Sequence, residues 1–313
     1  MLDIKIKPKQ GNIYKDFPVE GYLGMSTCRV VGFAYTEILD KKPLKVKEIN
    51  VKLKCIESAY KKSTVLFETT DCLMSFDDYV ELGEMEKEFM LTIPSHSSLP
   101  SSIRLHNYQI LWKLEVNLYH ENIKYIGNLK TKSICLNLFR FSHLSRNLSR
   151  HEENIKNLEF KTLIDSFKLL SLDNLNVNIN LRLLSDDIII KKLYVSLDRK
   201  VSFRLLKSSF FTSNNYSTRL IEHSVTPHLI PSKRENYQFT ILIPSSKSKG
   251  SWSIGESLIT NLIDIQFFIT TTVLIKNARG STKKVEIDSK EILLISITNK
   301  DLNRAIRCNT YKF

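Results

Sequence analysis

The chain has 313 residues, 42% of them hydrophobic, which is enough for about two buried cores. Its formal net charge is +13. That excess favours acidic partners such as phosphorylated tails, anionic lipid surfaces or nucleic acid. The lysines are spread along the whole chain, with no block of five or six like charges to read as a basic tail.

The opening Met-Leu-Asp-Ile-Lys-Ile-Lys-Pro is charged and alternating, unlike a signal peptide. Ile4, Ile6 and Pro8 point one way and Lys5, Lys7 and Lys9 the other, since strand side chains switch faces at every residue. Tyr14 to Met25 is a second strand candidate, in which Gly21 and Gly24 suggest bulges or a close approach of backbone. Cys28 to Leu39 is apolar and rich in β-branched residues, and Asp40-Lys-Lys-Pro43 is a turn. Ile49, Val51, Leu53 and Cys55 then form a core face opposite Asn50, Lys52 and Lys54. Thr64 to Met74 continues the pattern, and Asp77-Asp78 reads as the turn that ends it. Phe89 to Ile93, Tyr108 to Tyr119 and the Ile134, Leu136, Leu138 set complete the first half. Strand signals every 8–15 residues or so, with turns between them, mark an all-β chain rather than alternating βαβ units.

Phe141 to Leu158 is polar and lacks strand alternation, so it reads as a linker, with room for a short helix. Phe160 to Leu172 fits helix or strand. The second half opens on the cleanest strand of the chain, where Leu175, Val177, Ile179, Leu181 and Leu183 alternate with Asn176, Asn178, Asn180 and Arg182. Asp186-Asp187 is a turn, Ile188 to Leu197 and Val201 to Leu206 are strands, and Ser208 to Ser232 reads as a long loop containing Phe210-Phe211, a loop anchor or a membrane or partner contact. Further strands follow to Ile297. Lys300 to Phe313 is polar and expected to fray.

The two halves echo each other. Phe89-Met-Leu-Thr-Ile-Pro-Ser95 leads through a serine-rich loop into a long apolar strand, and Phe239-Thr-Ile-Leu-Ile-Pro-Ser245 does the same. In both, a proline stops the strand because it cannot donate a ladder hydrogen bond. An offset the size of a domain implies two copies of one β-domain in tandem. The expected fold is all-β, with two tandem immunoglobulin-like β-sandwich domains. Residues 1–140 and 161–300 form the domains, 141–160 a linker and 301–313 a polar tail.

Motifs for catalysis are lacking. There is no G-x-G-x-x-G, P-loop, G-x-S-x-G, H-E-x-x-H or paired C-x-x-C. Seven histidines are scattered; His223 and His228 flank Pro227 without further ligands, and His120-Glu121 and His151-Glu152 are isolated dyads. No enzyme activity, metal or cofactor is expected. The aromatics fall mostly on apolar faces, and no nucleic-acid module is legible, so nucleic acid is not an expected partner. The most apolar run, Asn261 to Ile275, contains Asp264 and Gln266 and is shorter than the about 20 residues of a bilayer span. Five cysteines without close pairs suit a reducing compartment and read as small core residues, which leaves the Asn-X-Ser triplets at Asn147 and Asn215 unglycosylated.

An ordered set of segments resembles the arrestin family, in particular its fungal arrestin-related (α-arrestin) branch. The set comprises Val19-Glu-Gly21, Ile49-Asn-Val-Lys-Leu53, Phe89-Met-Leu-Thr-Ile-Pro94, Leu99-Pro-Ser-Ser102 and Tyr108-Gln-Ile110. In the second half it comprises Tyr237 to Pro244, Ser253-Ile-Gly-Glu-Ser-Leu-Ile259 before Asp264 to Thr272, and Glu291-Ile-Leu-Leu-Ile295. The resemblance implies a non-catalytic cytoplasmic adaptor that is recruited to the plasma membrane or endosomes. Such an adaptor binds the cytoplasmic tails of receptors or transporters, phosphorylated ones included, and supports endocytosis, ubiquitin-linked trafficking or signalling, with peripheral membrane contact. In the visual and β-arrestins, lysines of the first strand bind receptor phosphates; Lys5, Lys7 and Lys9 stand in that strand here. They also fit the plainer role of edge-strand lysines that prevent aggregation. No proline is followed two places later by tyrosine, so the Pro-Pro-X-Tyr motif is missing and a HECT-type ubiquitin ligase would be engaged only indirectly. The alternative is a structural subunit of an endosomal sorting complex, like the arrestin-fold subunit of retromer.

Overall fold

In the computed structural model, residues 2–9, 17–38, 44–60, 62–95, 97–125, 127–142, 147–153, 155, 157–185, 187–204, 215–229, 233–245 and 254–310 are described. The chain divides into two compact units, Met1–Ser142 with Arg304–Phe313 and His143–Asn303. Both are built from sheets that are antiparallel but for one short parallel pairing, and the protein is nearly all β.

The first unit contains β1 (Leu2–Pro8), β2 (Cys28–Ile38), β3 (Leu44–Ala59), β4 (Lys62–Leu82), β5 (Met85–Ile93), β6 (Ile103–Leu105), β7 (Tyr108–Ile123) and β8 (Gly127–Leu136). They form one sheet of order β1-β2-β5 and a second of order β4-β3-β7-β6, with β8 also on β7. Strand alternation decides which side chains go inside. Val30 and Ala34 of β2, Phe89, Leu91 and Ile93 of β5, Val51, Leu53 and Cys55 of β3 and Ile110, Trp112 and Leu114 of β7 are all buried and make the core. The Trp112 indole is kept there by donating to the Pro100 carbonyl at 3.1 Å, so its one polar group is satisfied.

The second unit contains β9 (Arg150–Glu152), β10 (Leu158–Ile164), β11 (Lys168–Ser171), β12 (Asn174–Leu183), β13 (Ile188–Phe203), β14 (Tyr216–Val225), β15 (Arg234–Leu242), β16 (Leu258–Ile259), β17 (Ile263–Asn277) and β18 (Thr282–Thr298). Its smaller sheet has the order β10-β12-β15. Its larger one has the order β11-β18-β17-β13-β14, with β16 on β17 and β9 on β18. The alternation read in 175–183 is β12, whose leucines, valine and isoleucine are buried while Asn176, Asn178 and Asn180 face outward.

The connectivity of the first unit recurs in the second. Two strands enter the small sheet, two the large one, one returns to the small sheet, and three finish the large one. Thus β1, β2 and β5 correspond to β10, β12 and β15; β3 and β4 to β13 and β14; β6, β7 and β8 to β16, β17 and β18. Even the irregular parts correspond. β11 runs parallel to β18, and in the first unit Leu23 makes a parallel bridge with Arg140, just beyond β8. Ile93 ends β5 and Ile243 follows directly on β15, the equivalent strand, and neither has any exposed surface.

Several local expectations are corrected. Asp77-Asp78 does not end a strand, because β4 continues to Leu82. Between the pairs Glu48↔Ser75 and Val46↔Val80, four residues of β4 face one of β3, so the aspartates lie exposed in an outsized bulge. Phe17 to Met25, the described part of the second strand candidate, makes only isolated bridges at Glu20 and Leu23. Gly21 there has φ +90°, and a Cβ on it would lie 2.2 Å from the Thr27 carbonyl oxygen, so the close backbone approach is real. Residues 216–225, assigned to a loop, form β14. Residues 150–152, assigned to a linker, form β9 and pair with β18. Phe160 to Leu172 resolves into strands, β10 and β11. The tail expected to fray is instead a helix, α1 (Asn299–Thr310). Thr298 and Asp301 close a capping box at its start: the Asp301 N–H donates to Thr298 Oγ1 at 3.2 Å, and the Thr298 N–H and hydroxyl donate back to Asp301 Oδ2 at 3.3 and 2.9 Å. The turns at Asp40 to Pro43 and Asp186, and Phe210-Phe211, lie outside the described residues. Among the described residues no helix is long and apolar enough to cross a membrane.

Candidate functional site

β1 forms one edge of its sheet, pairing with β2 alone among the described strands. The Lys9 N–H donates to the Val31 carbonyl at 3.4 Å. In an antiparallel ladder the pairing groups alternate, so Lys5 and Lys7 direct their main-chain groups at β2 while Ile4 and Ile6 direct theirs to the other edge, which pairs with no described strand but where Ile4 is buried and Lys130 of β8 lies 3.9 Å from Asp3. Pro8 also falls on that edge, where its missing N–H leaves no ladder bond unmade.

The lysine side chains stand together on the outward face. Lys5 Nζ is 2.5 Å from Glu37 Oε2, and Lys9 Nζ is 2.5 Å from Glu88 Oε1. Lys7 Nζ lies 4.4 Å above the Tyr35 ring, whose hydroxyl donates to Glu86 Oε1 at 2.9 Å. Successive lysines on such a strand are about 6–7 Å apart, from the rise per residue. The hydrogen bonds to Glu37 and Glu88 raise the pKa of Lys5 and Lys9 above the usual lysine value. All these groups are open to solvent, so the pairs are weak and exchangeable. A phosphate or carboxylate arriving here meets charged lysines whose present partners are carboxylates it can displace. The site can recognise an anion electrostatically.

The remaining sequence candidates stay apart. His120 is buried, with Nδ1 2.7 Å from the Glu121 carbonyl oxygen. His223 is exposed on β14, and His228 is exposed beyond it. Among the described residues no group of three or more His, Cys, Asp or Glu could hold a metal ion.

One feature of the second unit escaped the sequence reading. A cleft of about 480 Å³ runs along residues 158–163 of β10, with Arg150, Glu152, Asp288 and Lys290 on its other side. Asp288 and Lys290 are buried charges on β18, with Nζ 3.4 Å from Asp288 Oδ2, and Lys290 Nζ also donates to the Thr162 carbonyl. The signal was legible in principle: Asp288, Lys290 and Glu291 interrupt an apolar run, and buried charges demand partners.

No known family model matches the chain, and no curated protein matches it.

Proposed function

We propose that the chain is a non-catalytic adaptor of arrestin-like architecture, each unit a β-sandwich, that binds acidic or phosphorylated tails of membrane proteins in extended form. The observation that carries this reading is the free edge of β1 with Lys5, Lys7 and Lys9 gathered on one face beside it. An added strand pairs with the main chain of half-buried Ile6, and its acidic side chains exchange with Glu37 and Glu88 for the lysines. The doubled strand order suits a body that presents binding edges. In this reading the protein works in the cytoplasm, is recruited to plasma membrane or endosomes, and supports endocytosis, ubiquitin-linked trafficking or signalling. A HECT-type ligase is reached only through other proteins.

The test is calorimetric titration of the full chain with a doubly phosphorylated tail peptide and its unphosphorylated form. The phosphorylated form binds at least 10-fold more tightly, and Lys5→Ala/Lys7→Ala/Lys9→Ala removes the difference. Equal binding of both forms, unaffected by the triple variant, refutes the reading.

A second reading has its own support. Lys5 and Lys9 already hold carboxylates of this chain and Lys7 an aromatic ring, which suits a structural subunit of an endosomal sorting complex that ignores phosphate. Stoichiometric partners that co-purify in high salt, with no response to phosphorylation, favour it.

A further inference from the structure

The cleft of the second unit lies against a strand edge equivalent to that of β1, since β10 holds the place in its sheet that β1 holds in the first. Two hydrogen bonds fix the direction of its main chain. The Asp165 N–H donates to the Asn176 carbonyl at 3.3 Å, and the Leu184 N–H to the Asn157 carbonyl at 3.0 Å. Odd-numbered residues of β10 therefore bond to β12, and Phe160 and Ile164 turn their N–H and C=O groups toward the other edge, as does Thr162, which is buried and whose carbonyl is occupied. The Lys290 bond to the Thr162 carbonyl agrees with this. Among the described residues no strand pairs with that edge.

The lining leaves two groups uncompensated. Asp288 is 2% exposed, and among the described residues its Oδ1 has no hydrogen-bond partner, although Oδ2 faces Lys290. A buried carboxylate oxygen without a donor is costly, so the floor calls for an N–H or O–H. At the rim, Glu152 is 3.7 Å from Arg150, and Glu159 is 3.5 and 3.8 Å from Arg182 and Arg234. Lys161 is exposed and has no ion-pair partner among the described residues. At the rim Lys161 is thus the cation without an ion-pair partner among the described residues, while Glu152 and Glu159 each have an arginine.

We infer that this cleft is a second peptide-binding groove, taking an extended acidic segment of about six residues as an added strand on β10. The length follows from the lined stretch 158–163, which spans about 20 Å at the strand rise. The main chain of the segment pairs with Phe160 and Ile164, a carboxylate meets Lys161, and an N–H or hydroxyl reaches Asp288 Oδ1. The volume of the cleft lies within the range of sites that enclose ligands. This inference rests on the reading of the chain as a peptide-binding adaptor, but not on the lysines of β1.

The experiment is amide hydrogen exchange of the full chain with the heptapeptide Glu-Val-Glu-Val-Glu-Val-Glu, with Lys-Val-Lys-Val-Lys-Val-Lys as control. The expected result is at least 10-fold slower exchange at Phe160 and Ile164 with the acidic peptide and no slowing with the basic one. Lys161→Glu, at an exposed position that leaves folding intact, removes the protection. Asp288→Asn keeps the shape and weakens it. Protection at Ile6 alone supports the adaptor reading and overturns this inference. Protection at neither edge overturns both, and protection of β10 that survives Lys161→Glu or is matched by the basic peptide overturns the inference.

Discussion

Gly32 fixes the seat of β1. It pairs with Pro8 on one side and Phe89 on the other. A Cβ added to it lies 2.6 Å from the Lys7 carbonyl oxygen, 2.6 Å from the Phe17 ring and 2.8 Å from the Phe89 ring. Real Cβ atoms do not approach that closely, so Gly32→Ala must push β1 or the two rings aside. Overpacking of this kind costs about 1–3 kcal/mol. Much of that falls on β1, the edge strand, whose ladder pairing among the described strands is with β2 alone. One decade per 1.36 kcal/mol converts the cost into amide exchange at Lys5 and Lys7 about 5- to 150-fold faster than in the parent. Gly83→Ala is the control: nothing lies within 4 Å of its added Cβ, and exchange at Lys5 and Lys7 stays unchanged. The lysine row moves with its strand, so Gly32→Ala also weakens binding of an acidic peptide. If Lys5 and Lys7 exchange at the parent rate in Gly32→Ala, the close packing that seats β1 is wrong and the reasoning fails.

Three further outcomes follow from buried groups. Phe267→Ala empties a fully buried site in β17 and lowers stability by about 3–5 kcal/mol. In denaturant-dependent amide exchange the loss is concentrated in β12, β13, β17 and β18, and equal loss across β1 to β8 contradicts separate cores. Glu115 lies 2.9 Å from Lys54 and 2.7 Å from Lys113. Burial pulls its pKa up, but the two lysines outweigh that and hold it below the ordinary value of 4.5. Its contribution is therefore complete above about pH 4.5 and fades as pH falls through the lower folded value. Glu115→Gln costs about 1–3 kcal/mol at neutral pH and nothing in strong acid, and a pH-independent deficit in urea unfolding refutes this. Of the five cysteines expected in the core only Cys28 and Cys55 are buried; burial pushes their thiols up to about 11 and about 12, so neither reacts with iodoacetamide at pH 8 until the first unit unfolds, while exposed Cys72, Cys135 and Cys308 react at once. Rapid labelling of Cys55 in the native protein contradicts its burial.

The sequence disclosed the elements whose two faces differ most. β12 was legible because leucine and valine alternate with asparagine, and the echo at Phe89 and Phe239 marked equivalent strands because proline stops both. β14 was missed for the opposite reason. It is an edge strand whose residues are all half-buried or exposed, so no contrast between faces survives in Tyr216 to Val225. Asp77-Asp78 carries the chemistry of a turn but lies in a bulge, a choice made by the register of β3 and not by local preference. The cap of α1 was present as Thr298 and Asp301 and was outweighed by the polarity of the residues after it. At the candidate site, alternation placed Lys5, Lys7 and Lys9 on one face. Their partners Glu37, Tyr35 and Glu88 lie on other strands, and only the pairing reveals them. The cleft beside β10 joins residues 138 positions apart, Arg150 and Asp288, and no local pattern contains it.

The central claim, that free strand edges of this protein hold extended acidic peptides, is tested most directly by site-resolved photo-crosslinking. A photoreactive amino acid is placed in the full chain at position 6 on the β1 edge, and in a separate variant at position 178 on the outward face of β12, an interior strand. Each variant is illuminated with a phosphorylated acidic peptide. Capture at position 6, lost in high salt and absent at position 178, is the predicted result; equal capture at both positions, or none at 6, contradicts the account.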